Sequence, residues 1–411
     1  MEKTTKIALV GVGERGQSLL VGAILPAGED YGVEVAMIYD TFEDRTAKGI
    51  EMVQEKTGKA PIAAKNYQEI LDNPEIDGIV IATAWEAHIP LSIAAMKAGK
   101  YVAMEVGGAY TIEDCWKLVD TYEETGTPCM ILENCCYGKW ETMALNMVRQ
   151  GLFGEIVHCS GGYHHDLRIE VSDGEKNRHY RLRNYLNRNC ENYPTHELGP
   201  IAKVLDINNG NRMVSLVSMA SCAKGLHEYV VKKHGADSPL AQAEFAQGDV
   251  VTTVIKCAKG QTITLTLDTT LPRAYSRAFT VRGTKGSYFG GNNMVFEDTP
   301  EFHKYEWKES ELWGNANEYF EKHAHPLWKD YDPQGGHGGM DYLVMSAYFE
   351  SLTTGVPAPI DVYDAAAYMC VTVLSEQSIA LGSAPVAVPD FTRGKWYMTK
   401  QTPDSKFKLN K

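Results

Sequence analysis

The amino-acid sequence predicts an α/β protein in which a doubly wound parallel sheet comes first and an α+β domain with a large open, mostly antiparallel sheet follows. Three observations carry that expectation. Short unbroken apolar runs alternate with amphipathic stretches over about the first 130 residues, longer runs of alternating polarity replace them further on, and a glycine-rich turn joins the first apolar run to the first helical stretch.

Taken in order, "KIALVGV", "VEVAMIYD", "DGIVIATA", "KYVAMEV" and "PCMILEN" read as strands separated by helices, so both faces of their sheet are covered. Beyond Asn134 the pattern changes. "VVTTVIKC", "QTITLTLDTT" and "SRAFTVRGTKGSYFGG" alternate in polarity and are divided by turns such as Lys259-Gly260 and Thr284-Lys285-Gly286, as antiparallel strands are. Helices are expected at "WETMALNMVRQG", "PIAKVLDI", "MDYLVMSAYFESLTTG" and "VYDAAAYMCVTVLSEQSIALG", the last two each closing on a glycine suited to a helix C-terminus. The irregular, polar stretch 166–192 suits a substrate lid. These features divide the chain into a nucleotide-binding domain at 1–133, a substrate-binding and oligomerisation domain at 134–395, and a polar, Lys-rich tail at 396–411.

Bulk properties narrow the function. A chain of 411 residues, 44% hydrophobic, buries an ample core and usually does so in two domains. Its 40 Lys and Arg against 53 Asp and Glu leave a net charge of −13, which disfavours nucleic acid and anionic membranes and points to a small-molecule partner. Nine cysteines without a CxxC pair or zinc spacing fit reduced thiols in the cytoplasm. The apolar run of "MEKTTKIALVGVG" is too short for an export signal and no other run approaches a membrane span, so a soluble, cytoplasmic protein is expected.

Gly11-Val-Gly13-Glu-Arg-Gly16 follows the first strand and opens "QSLLVGAI". Glycines permit a tight turn there, and the helix start offers N–H groups and a positive dipole to a pyrophosphate. Asp40, at the end of the second strand and 24 residues after Gly16, can accept both ribose hydroxyls and repel a 2′-phosphate, which selects NAD over NADP. Glu14 and Arg15 either face the cofactor or are solvated charges. Thr83-Ala-Trp85-Glu-Ala-His88 follows the third strand at the carboxyl edge, where such sheets bind ligands: Trp85 can wall the nicotinamide side and His88 can cap the next helix. Glu105-Val106-Gly107 ends the fourth strand.

With these features the sequence resembles the Gfo/Idh/MocA oxidoreductases, whose dehydrogenases typically read Glu-Lys-Pro where this chain has Glu105-Val106-Gly107. The absent lysine, which in those enzymes helps polarise the reacting hydroxyl, weighs against a simple dehydrogenase. A narrower resemblance is to glycoside hydrolase family 109, the NAD-dependent α-N-acetylgalactosaminidases, carried by Glu105-Val106, "LENCCY", "GGYHHDLR", "YPTHELGP" and "GGHGGMD". That resemblance implies that Tyr163 and Arg181 meet the sugar, Tyr193 and His196 flank sugar and nicotinamide, and Tyr275 lines the far wall. It further implies that Trp85, His88, Glu105, Val106 and Asn134 touch NAD. The chain departs from the family pattern in a shorter 163–193 loop, which makes Arg183 the nearest competitor of Arg181, and in Glu197, where a glycine is usual.

The chemistry implied is a retaining glycosidase that oxidises the sugar at C3, so that the acidified C2 proton can be removed and the leaving group eliminated; water then adds and the hydride returns. His196 is expected as the base for the hydroxyl, and Tyr163 as the base for the carbon acid if a neighbouring cation lowers its pKa. Pro194 is expected to hold Asn192-Tyr193 extended and to fix a turn before the helix of "PIAKVLDI". The glycines of "GGHGGMD" are expected to let the backbone pass close to the sugar, with His337 as a subsite contact. An NAD-dependent sugar or cyclitol dehydrogenase is the alternative, and a non-catalytic NAD-binding sensor the third reading. "HHD" at 164–166 with His323 and His325 lacks metal-site spacing, so no metal is expected. A homodimer or homotetramer built on the open second sheet is expected.

Overall fold

The computed structural model describes residues 4–298, 314–400 and 404–409. The chain forms two compact units, one of Met1–Gly138, Asp330–Ala367 and Lys400–Lys411, the other of Lys139–Lys329 and Tyr368–Thr399.

The first unit carries a six-stranded parallel sheet in the order β3-β2-β1-β4-β5-β6. Its strands are β1 (Thr5–Val10), β2 (Val33–Tyr39), β3 (Ile62–Ala63), β4 (Gly78–Ile81), β5 (Tyr101–Met104) and β6 (Cys129–Ile131). Strands β4, β5 and β6 are buried throughout, as strands covered on both faces must be. Strand β3 escapes sequence reading because it has two residues, both exposed, and so no pattern.

The units are not the contiguous domains expected at 1–133 and 134–395. Residues 330–367 return to the first unit because helix Met340–Thr354, apolar nearly all round, packs against helix Leu25–Tyr31 and the one-turn π-helix Leu20–Ile24. Tyr348 on it is fully buried and donates to the Tyr101 carbonyl at 2.9 Å. Residues 404–409, within the polar tail, are anchored. Phe407 and Leu409 are buried, and Tyr137 donates to the Phe407 carbonyl at 3.1 Å. Two apolar residues spaced by two supply the anchor that the lysines around them conceal.

The second unit carries a nine-stranded sheet in the order β14-β13-β12-β11-β7-β10-β9-β8-β15. Its strands are β7 (Ile156–His164), β8 (Met213–Ala220), β9 (Val250–Cys257), β10 (Thr262–Asp268), β11 (Thr280–Gly283), β12 (Gly286–Phe289), β13 (Met294–Glu297), β14 (Gly314–Asn315) and β15 (Val386–Ala387). All pairings are antiparallel except β7 with β10. Along β9 buried and exposed residues alternate, so one face is covered and the other open. Stretch 166–192 contains the short helices Arg168–Ser172 and Arg181–Asn187, and Tyr185 is buried with its hydroxyl 2.6 Å from Thr269 Oγ1; polar composition hid this anchoring. The helix read from "PIAKVLDI" begins earlier, at Thr195, and runs to Val204. Among the described residues no helix is long and apolar enough to cross a membrane, and all nine cysteines are free thiols.

Candidate active site

In the first unit the turn after β1 forms the cradle its glycines promise. Gly11 has φ +94°, and a Cβ there would lie 2.5 Å from the Ala82 carbonyl oxygen; a Cβ on Gly16 would lie 2.2 Å from the Gly11 oxygen. Helix Glu14–Leu19 starts directly after Gly13, with Glu14 exposed on its first turn. Asp40 closes the turn by accepting from the Val12 N–H at 2.7 Å and the Phe42 N–H at 2.9 Å. A carboxylate with two oxygens has further lone pairs for ribose hydroxyls. These residues fit a dinucleotide: the cradle has no room for side chains, and an acid stands at the ribose end.

Arg15 is half-buried and held by two acids. It donates to Glu105 at 2.9–3.0 Å and, bidentately, to Asp341 at 2.7 and 2.9 Å. Asn134 also donates to Asp341, at 2.7 Å, and His337 Nδ1 lies 2.8 Å from the same carboxylate. Burial alone would raise the Asp341 carboxyl, but the bonds from His337 and Arg15 outweigh it and hold the group well below the usual carboxylate range. Arg15 and Asn134, both expected to touch NAD, are thus held by an acid that sequence reading missed, and Arg15 links it to Glu105. The only signal of Asp341 was its place at the end of "GGHGGMD".

The first glycine of that motif makes a close backbone approach within this unit. A Cβ on Gly335, φ +72°, would lie 1.8 Å from the Gly22 oxygen, so the motif passes against the π-helical turn of this same unit. Trp85 and His88 lie on the first turn of helix Trp85–Lys97, which begins a residue after Ala84. Trp85 is buried against Gly107, where a Cβ would lie 2.5 Å from the indole. That contact explains a glycine after Glu105-Val106, both of which are also buried. His88 is 1% exposed, its Nε2 lies 3.0 Å from the Thr83 carbonyl oxygen, and burial pushes its imidazole down to about 4. In this form it braces its own loop.

The second unit brings the other expected residues together. Tyr163, near the end of β7 and opposite Leu267 of β10, has its ring centroid 4.3 Å from that of Tyr193 and 5.6 Å from that of His196; Tyr193 and His196 are 4.8 Å apart. The Arg181 guanidinium lies 5.3 Å from the Tyr193 centroid and pairs with Glu170. Arg181 is buried whereas Arg183 is exposed, so the geometry favours the first of the two competitors. Tyr275 is 49% exposed and joins through His165, whose ring is 5.1 Å from its own and whose Nδ1 is 3.1 Å from the Tyr163 hydroxyl. Glu170 and His165 are the residues missed here. Nothing in sequence marks Glu170, and His165 stood out only within "HHD".

Two local features create the cluster. Pro194 has φ −74° and ψ −19° and caps the helix that begins at Thr195. Its fixed φ already suits a helix start, so Tyr193 and His196 fall on a single turn. Gly161 then lets that helix lie against β7, because a Cβ there would come within 2.9 Å of the Glu197 side chain. Electrostatically, burial pushes the Tyr163 hydroxyl well above its ordinary value although Arg181 acts the other way. The lowered Tyr163 pKa that a resident phenolate needs is not what these surroundings provide.

The model of an NAD-binding Rossmann oxidoreductase family matches residues 5–132, and that of the glycosyl hydrolase 109 C-terminal domain matches residues 137–398. This chain belongs to glycoside hydrolase family 109. It is 43% identical to an alpha-N-acetylgalactosaminidase of Tannerella forsythia over 81% of this chain and 74% of that one. It is 37% identical to a Shewanella oneidensis protein of the same name over 97% of this chain and 87% of that one. The fold is shared with levoglucosan dehydrogenase solved with NADH and levoglucosan, at TM-score 0.70 and 18% identity, covering 94% of this chain and 100% of that one. A family 109 glycoside hydrolase with an NAD-type Rossmann half is therefore what the sequence encodes.

Proposed function

We propose that this family 109 member is a retaining glycosidase acting on α-linked N-acetylgalactosaminides or related hexosides through transient oxidation at C3, with NAD rather than NADP as its cofactor. The observation that carries the reading is the buried cluster of Tyr163, Arg181, Tyr193 and His196 in a chain that also carries the Gly11–Gly16 cradle and Asp40. Gly11, Gly13, Gly16, Arg15 and Asp40 would hold the dinucleotide. When bound, NAD supplies a reversible hydride acceptor for C3.

The side chains supply the proton chemistry and the binding. His196 takes the C3 hydroxyl proton and returns it when the cycle closes. Tyr163 serves the C2 proton, which a neighbouring ketone renders acidic. Arg181, charged and fixed by Glu170, binds a hydroxyl or acyl oxygen with a charge-assisted bond. Tyr193 and Tyr275 flank the ring. Val106, standing where dehydrogenases of the superfamily carry lysine, supports cleavage over net oxidation.

The deciding experiment is turnover of an aryl α-N-acetylgalactosaminide in deuterated water by the holoprotein. Deuterium at C2 of the released sugar, a retained anomer and no net NADH are expected. Stoichiometric NADH without aglycone release would instead make the protein a sugar or cyclitol dehydrogenase, the reading its shared fold also allows. His196→Ala is expected to lose cleavage by about 100-fold or more while keeping its NAD; unchanged turnover would remove His196 from the reaction.

A further inference from the structure

We propose that His165 is the proton partner of Tyr163: a positioning residue that takes the Tyr163 hydroxyl proton as Tyr163 takes the C2 proton of the sugar. The inference rests on the elimination reading above and deepens it. Tyr163 is 7% exposed and its burial disfavours a standing phenolate, so it can accept a proton only by passing on its own. The group placed to receive that proton is His165 Nδ1, 3.1 Å from the hydroxyl oxygen.

The placement follows from the strand. Residues two apart in an extended chain face the same side, so in Tyr-His-His the first and third side chains meet while the second points away. His164 accordingly lies on the side of Gly162, where a Cβ would come 2.2 Å from its Nε2. His165 is held from several directions. Its N–H donates to the Asp268 carbonyl at 3.0 Å, its ring stands edge-on to Tyr163 at 88° and to Tyr275 at 85°, and the His164–Ser276 bridge fixes the backbone beside it. The charged and titratable groups facing it are Arg181, Glu170, Asp166, His196, Tyr163 and Tyr275. Burial, then Arg181, lowers its pKa against the opposing pull of Glu170 and Asp166, which leaves a neutral imidazole able to accept.

The step balances without any further reactant. The C2–H proton moves to Tyr163 Oη, the former hydroxyl proton moves to His165 Nδ1, and the C–H electron pair stays on the sugar as the enolate of the C3 ketone. Its collapse expels the glycosidic oxygen with the C1–O pair, which takes a proton from water. After water adds at C1, both protons retrace their path.

The test compares wild type with His165→Ala and His165→Gln as holoproteins, following aryl glycoside turnover and C2 deuterium incorporation across pH. Both variants are expected to lose kcat by about 100-fold with little change in KM and with NAD content intact. The wild-type profile should fall on the acid side as His165 protonates; in the variants that limb should weaken and shift, and imidazole should partly restore His165→Ala. A variant within about threefold of wild type, or one whose acid limb is unchanged from wild type, overturns the proposal. A second arm is independent of turnover: in Tyr163→Phe, nitrogen-15 NMR of His165 should show a changed tautomer balance and pKa, and an unchanged titration equally overturns it. Cleavage by wild type with no deuterium at C2 would refute the elimination reading instead, a result distinct from either failure of His165.

Discussion

Glu191, which opens the stretch leading to Tyr193 and His196, shows how a single residue couples the site to stability. It is 1% exposed, its N–H donates to Ser375 Oγ at 2.5 Å, and burial pushes its carboxyl from 4.5 up to about 8 despite an opposing bond from the Tyr193 N–H. Between those two values the unfolded chain has released this proton and the folded chain still holds it. The contribution of this residue to stability must therefore fall as pH rises, by about 1.4 kcal/mol per pH unit, and level off above the folded value. Glu191→Gln is expected to remove that contribution, so that the stability difference between wild type and variant, read from denaturant unfolding, changes by about 1.4 kcal/mol per unit between about pH 5 and 8. Equal slopes would show that Glu191 ionises freely in the fold. At the residue scale Gly11 and Asp40 are legible from their spacing, whereas Tyr163 and His196 are named only through the family motifs that contain them.

Helix placement belongs to the scale of elements, and two contacts control it. Helix Thr195–Val204 reaches β7 only because Gly161 leaves room for Glu197. Gly161→Ala is expected to cost about 1–3 kcal/mol by overpacking and to weaken substrate binding, read as a lower Tm and a raised KM. An alanine variant with wild-type Tm would mean the helix can shift freely. In the first unit, helix Met340–Thr354 brings Asp341 under Arg15 and Asn134. Asp341→Asn removes the charge that fixes Arg15, and should release NAD several-fold more readily on dialysis without abolishing the fold. Retention equal to wild type would reduce Asp341 to a packing role. Sequence reading named Arg15 and Asn134 but not the acid between them, since a partner 326 positions away leaves no local pattern around Arg15.

For the whole molecule, the decisive property is cofactor choice combined with bond cleavage. Asp40 accepts one bond from each of the Val12 and Phe42 N–H groups, and under the proposed reading its remaining lone pairs would meet the ribose and its charge would oppose a 2′-phosphate. Asp40→Ser is expected to narrow the preference for NAD over NADP by at least tenfold in binding titrations; an unchanged ratio would move the discrimination elsewhere. Assembly of the units from separated segments was hidden because helix Met340–Thr354, apolar nearly all round, reads alike in either unit.

Sequence alone determined the order of strands and helices, the cradle turn with its acid, and the motifs that place the chain in its family. Each depends on spacing within a few residues, or on a periodicity that backbone geometry imposes. Only the tertiary structure decided that Asp341 serves Arg15, that Glu170 rather than solvent holds Arg181, that Tyr163 is too buried to stand as a phenolate, and that His165 faces it. Those are matters of distance and desolvation between side chains, and a linear pattern carries neither.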